Sequence, residues 1–163
     1  MTRSKFSGLL LLMFVPFSLN AAQKPARQIL GIRLSMTKQQ VHARLKEIGK
    51  FVRDVSLKQE VWTVRDPSFS NILIGFTKDD QLRYVSAIAR EDKEAKGIPY
   101  AKIGDLKTAK GAGDPKIKVY NYQWHLPAEN GEPETLVIAL GREPVNLSTY
   151  SLKRLGDRAG EED

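Results

Sequence analysis

A chain of 163 residues with 26 Lys and Arg, 19 Asp and Glu and a formal charge of +7 has the size of one globular domain. It contains no cysteine, which excludes a disulfide framework, a thiol nucleophile and a thiolate metal site. Its two histidines lie in no H-E-x-x-H, no G-x-S-x-G accompanies them, and Gly111-Ala112-Gly113 runs into Asp114-Pro115 rather than into a helix, so no metal, nucleophile or phosphate-loop motif is present.

The chain opens with Met1, Arg3 and Lys5, continues through the apolar run Leu9–Phe17, and reaches the small residues Ala21 and Ala22. A charged start, an apolar core of this length and small residues at its exit describe a secretory signal peptide. The run is shorter than the about 20 apolar residues of a permanent span; an uncleaved N-terminal anchor is the alternative reading. Residues 1–22 are therefore set apart, with cleavage expected near Ala21 or Ala22. Removing Arg3 and Lys5 leaves a charge of +5. The expected product is exported, periplasmic or secreted, and soluble.

After the polar lead 23–30, Ser35–Gly49 reads as one helix. Thr37 is a good N-cap and Gln40 stands three residues on, the spacing of a capping box. Met36 and Val41 are placed as a hydrophobic staple. Val41, Leu45 and Ile48 share one face at helical spacing. Gly49 is expected to stop the helix in a left-handed conformation. A helix of three turns does not hold in water alone, so its apolar stripe needs cover from the rest of the chain.

Strands are expected to supply that cover. Glu60–Arg65 is rich in strand formers and ends at Pro67, Asn71–Phe76 is nearly all apolar, and Gln81–Arg90 resumes after the turn Thr77–Asp80. Residues 91–116 read as a polar, lysine-rich connection with one or two helical turns near Tyr100–Leu106. Lys118–Leu126 alternates, with Tyr120, Tyr122 and Trp124 on one side and Asn121, Gln123 and His125 on the other. Thr135–Gly141 and Ser148–Leu155 complete a second meander, and 156–163 is a polar tail. The fold class expected is α+β: a short N-terminal helix, with a second small one as an option, on one face of an antiparallel sheet of about six strands. Residues 23–155 form one domain.

No catalytic residue, metal ligand or cofactor is assigned. His125 with an unidentified partner keeps a small exported hydrolase open as an alternative. Asp79-Asp80 suits a turn and lacks the spaced ligands of a calcium loop. The lysines of the central connection allow weak contact with anionic lipid, which gives a lipid-associated module as a further alternative; nucleic acid is not expected. For protein contact the candidates are Trp62, Arg65, Phe69 and Arg83, since aromatic and arginine side chains dominate binding hot spots. Tyr84 shares its strand face with Leu82 and Ile88 and is assigned to the core. Arg83 shares the other with Val85, Ala87 and Ala89, which is taken as the exposed side.

Ile32–Lys50 resembles the opening of the SmpA/OmlA (BamE-like) domain family through Leu34, Met36, Thr37, Val41, Leu45 and Gly49, and the looser likeness extends to Arg90. The resemblance implies a helical layer on an antiparallel sheet, similar to the repeat of β-lactamase inhibitor proteins, and a place in the cell envelope. That family's lipid-bearing cysteine is absent here. Together these readings describe a non-enzymatic exported binding domain that acts by contact with an envelope or extracellular protein.

Overall fold

The computed structural model describes residues 23–156, apart from 57, 93, 94, 96, 112 and 115. The expected signal peptide and the tail from 157 on lie outside the described residues.

The lead segment makes a tight turn at Leu30-Gly31. Ile29 and Ile32 exchange two backbone hydrogen bonds, 3.0 and 2.9 Å, and both central residues have positive φ, +49° and +82°. This is the type I′ hairpin turn, in which glycine is favoured and leucine is unusual. Helix α1 (Lys38–Ile48) follows, with the expected capping box: the Gln40 amide donates to the Thr37 hydroxyl at 3.3 Å, and the Thr37 amide donates to the Gln40 side-chain oxygen at 2.9 Å. Val41 and Leu45 are fully buried.

The helix ends differently from the expectation. Gly49 is extended, not left-handed, and the chain passes directly into a strand. Glycine is needed there because a Cβ would run into the carbonyl oxygen of Thr63 on the neighbouring strand.

That first strand is β1 (Gly49–Ser56), followed by β2 (Gln59–Val64), β3 (Phe69–Phe76) and β4 (Leu82–Ala89). Two short elements, β5 (Ile98–Pro99) and β6 (Gly113–Asp114), lie in the long connection on either side of a 3-10 turn at Tyr100–Lys102. Then come β7 (Val119–Leu126), β8 (Thr135–Gly141), β9 (Asn146–Leu147) and β10 (Thr149–Arg154). Eight strands form one antiparallel sheet in the order β1-β2-β3-β4-β10-β8-β7-β6, and β5 pairs with β9 in a separate two-stranded sheet. The expected α+β class with about six strands is thereby corrected: among the described residues the chain is mostly β, with one α-helix. The difference comes from β1, an edge strand without burial alternation, and from two-residue strands too short to show a period.

The sheet joins two meanders along β4 and β10. Tyr150 pairs with Ala87 and with Ala139, and the Ser151 hydroxyl donates to Ser86 at 2.8 Å across the seam. Its inner face carries Trp62, Val64, Ile72, Ile74, Val85, Ala87, Leu152, Val137, Ala139 and Trp124, all buried. Three pieces of chain cover that face. Helix α1 lies over the first strands, where His42 meets Trp62 and Phe76. The lead segment crosses the middle, held by Tyr150 Oη donating to the Ala26 carbonyl at 3.1 Å and by Arg154 donating to the Leu34 carbonyl at 2.7 Å. The third piece, residues 98–109, covers β8 and β7. There Ile98, Tyr100 and Ile103 are buried, the Tyr100 ring lies 4.8 Å from that of Tyr122, and Trp124 Nε1 donates to the Asp105 carbonyl at 3.0 Å. What reads in sequence as a polar connection thus completes the core.

Burial raises the pKa of the Tyr100 phenol to about 12, with smaller contributions from Tyr122, Tyr120 and Glu143. Burial also raises that of Tyr150. Both are neutral donors at ordinary pH, in keeping with their carbonyl partners.

Candidate functional site: the open face of the sheet

The outer face of the same sheet has no covering layer among the described residues. Strand alternation and register place its side chains in rows. One row runs Asn121, Leu140, Thr149, Ile88 and Asn71 from β7 to β3. The next runs Gln123, Ile138, Ser151, Ser86, Leu73 and Val61 out to β2. A third holds His125, Leu136, Lys153, Tyr84 and Gly75.

Ile88 and Leu140 are 41% and 38% exposed, high for large apolar side chains in the middle of a sheet. Thr149 separates them, so they stand two strand spacings apart, about 10 Å. The Tyr84 ring packs against Gly75, whose missing Cβ leaves room for it. Burial raises the Tyr84 pKa, opposed in part by the neighbouring Arg83 guanidinium, which sits 5.7 Å from the ring.

The outward positions of β2, β3, β4, β10, β8 and β7 contain no carboxylate. The one acidic residue on these six strands, Glu60, points inward and accepts from Trp62 Nε1 at 2.9 Å. Lys153 and His125 supply the charge capacity of the face, and His125 Nε2 lies 2.6 Å from Glu134 at its rim. No group of three or more metal-ligating side chains occurs among the described residues.

The four contact candidates from sequence do not come together. Trp62 is 5% exposed and belongs to the inner face. Arg65 is exposed, and its guanidinium donates to the Glu47 carbonyl at 2.8 Å, tying β2 to the last turn of α1. Phe69 starts β3 opposite Ala89, while Arg83 lies at the other end of β4. Those two ends are six residues apart, about 20 Å at strand rise.

The expected faces of β4 are reversed. Val85, Ala87 and Ala89 are buried, whereas Tyr84, Ser86 and Ile88 face outward. The reason is a β-bulge. Gly75 pairs with Tyr84 but Phe76 pairs with Leu82, leaving Arg83 as the extra residue. The bulge lets Leu82 and Val85 share the inner face, which strict alternation forbids. Sequence reasoning therefore missed Ile88, Leu73 and Leu140 as surface residues. The signal that could have found them is the run Val85, Ala87, Ala89, whose small side chains suit a strand beneath a close covering layer.

Comparison of this chain with family models, with curated proteins and with solved structures finds no match in any of the three. Among the described residues no helix is long and apolar enough to cross a membrane.

Proposed function

We propose that this chain is a non-enzymatic binding domain of the cell envelope that is exported and contacts a protein partner through the open face of its sheet. The observation that supports this most is the lack of carboxylates across six strands of an uncovered face with Leu73, Tyr84, Ile88, Ile138 and Leu140 on it. Depletion of charge together with aromatic and aliphatic side chains is the composition of an interface centre. A rigid backbone under such a patch also limits the ordering cost of association. Arg83, stacked beside Tyr84, stands at the margin where a polar rim is expected.

The signal-like start and the SmpA/OmlA resemblance of residues 32–90 support an envelope location. A photo-crosslinking side chain at Ile88 tests the reading in envelope extract. It should capture a specific protein that the same group at Ile117, 68% exposed and outside the face, does not. Equal capture from both positions, or none from Ile88, would refute contact through this face.

A further inference from the structure

The inner layer is not closed everywhere. Between the lead turn, the start of β3 and the 3-10 turn there is a cleft of about 670 Å³, within the size range of small-molecule sites. Its floor is core: Ile29, Ile98, Ile103 and the Tyr150 ring, each less than a tenth exposed. Leu30 and Phe69 form its walls, so most of the surface is apolar. The Tyr150 hydroxyl is engaged by the Ala26 carbonyl and offers the interior no free proton. At the mouth stands Lys102, an exposed lysine of the 3-10 turn. Among the described residues it has no ion-pair partner, and no carboxylate lines the cleft.

Leu30 adds a second, independent observation. It is held at φ +49° between Ile29 and Gly31, a conformation that leucine rarely adopts, and it lines the cleft. Arg44 of α1 fixes the turn by donating to the Leu30 carbonyl at 2.9 Å. A backbone outlier that presents an apolar side chain to a cavity is the kind of strain that gathers at ligand sites.

We propose that this cleft binds a single-chain carboxylate amphiphile, with the alkyl chain between the lead turn and residues 98–103 and the carboxylate against Lys102. Each methylene taken from water into such a cleft should raise affinity about fourfold, so chain length carries affinity. The Lys102 ammonium selects an anionic head over a cationic one.

Decanoate is the probe, titrated into the purified protein by calorimetry below its micelle concentration, beside decyltrimethylammonium and vesicles of anionic phospholipid. Decanoate should bind at one site and the ammonium more weakly. Lys102→Glu should lower decanoate affinity about tenfold, a change of about 1.4 kcal/mol. It should leave the melting temperature unchanged, because Lys102 is exposed. Ser68→Trp, which fills the mouth from the β2–β3 turn, should abolish binding of both probes. The proposal is overturned if decanoate does not bind. It is overturned equally if the ammonium binds as tightly, if both variants bind like the parent, or if only vesicles bind, since a vesicle reports a basic surface. Failure of this test leaves crosslinking at Ile88 unaffected, so the two readings fall or stand separately.

Discussion

The imidazole Nε2 of His42 lies 2.9 and 3.0 Å from the two carboxylate oxygens of Glu60, and this contact ties helix α1 to β2. The Trp62 indole donates to the same carboxylate, and Phe51 of the edge strand packs edge-on against Trp62 at 5.5 Å. One carboxylate therefore serves two donors from two elements at the border of the core. Replacing Glu60 with Ala leaves the buried indole N–H without its acceptor, at a cost of about 1–3 kcal/mol. Glu60→Gln retains an acceptor and should lose less. Urea unfolding of both variants checks the order; equal midpoints for Glu60→Ala and the parent protein would remove the carboxylate from the account.

Leu45 is fully buried between α1 and the sheet, and Val41 lies one turn before it. Leu45→Ala should destabilise by about 2–5 kcal/mol through lost transfer energy and the cavity left behind. Thr37→Ala removes only the N-cap bond and should cost about 1 kcal/mol. Thermal unfolding decides between a packed helix and a loosely attached one: an unchanged midpoint for Leu45→Ala would mean the latter.

The helix was legible because its signals are local: a capping box and apolar positions at spacings of four and three. The strands at 60–64, 71–76, 119–126 and 135–141 were legible from composition and alternation. What escaped the sequence depends on partners far along the chain. Strand β1 carries Lys50, Phe51, Val52, Arg53, Asp54 and Val55 all exposed at a sheet edge, so no alternation marks it. The bulge at Arg83 inverts the faces of β4, and it is set by the pairing with Gly75 and Phe76 on β3 rather than by residues 82–89. Ile98, Tyr100 and Ile103 are buried only because β8 and β7 lie beneath them, and their lysine-rich surroundings mask this. The open face was missed for the same reason as the bulge, since assigning one assigns the other.

Asp80 links three elements. It accepts from Lys58 at 2.8 Å and from Lys38 at 3.3 Å, and those two lysines hold its pKa below the ordinary 3.8. A lowered folded-state pKa contributes stability that is present above the unfolded value and is lost as pH falls through the folded one. The contribution of Asp80 should therefore be intact at neutral pH and disappear only below about pH 3.8. Asp80 is exposed, so salt should weaken the effect. Asp80→Asn should lower the melting temperature slightly at neutral pH and low salt, and match the parent in strong acid. A difference that persists in acid would place its origin in the turn geometry instead.

The phenols give the opposite limb. Burial is the first cause of the raised pKa of Tyr84, Tyr100 and Tyr150 among the five tyrosines of the chain. A raised folded-state pKa means that stability is full below the unfolded value of about 10 and falls as the unfolded chain ionises first. For Tyr100 the window runs from about 10 to about 12. Ionisation of these three phenols, read as tyrosinate absorbance, should coincide with loss of far-ultraviolet strand signal. Tyr100→Phe, which keeps the ring and drops the hydroxyl, should shift unfolding to higher pH. Complete ionisation in one phase near pH 10, with the fold intact, would contradict burial of these groups.

The open face yields the sharpest prediction about function. Ile88 and Leu140 project from β4 and β8 with Thr149 between them, and neither supports the core from the outer side. Substituting both with Lys places two charges in the middle of the patch. The cost to folding should stay within about 1 kcal/mol per site, the span of strand propensity at exposed positions. A partner that covers the patch must desolvate both charges without carboxylates of this chain to pair them, and affinity should fall by more than about tenfold. Phe69→Ala and Arg65→Ala, on residues away from the face, should leave capture unchanged. The measurement is paired: melting temperature for the fold, and retention of the Ile88-crosslinked partner for binding. Retained capture in the double Lys variant with an intact fold would move the contact surface off the sheet, and the exposed residues of β1, Phe51, Val52 and Val55, would become the next surface to test.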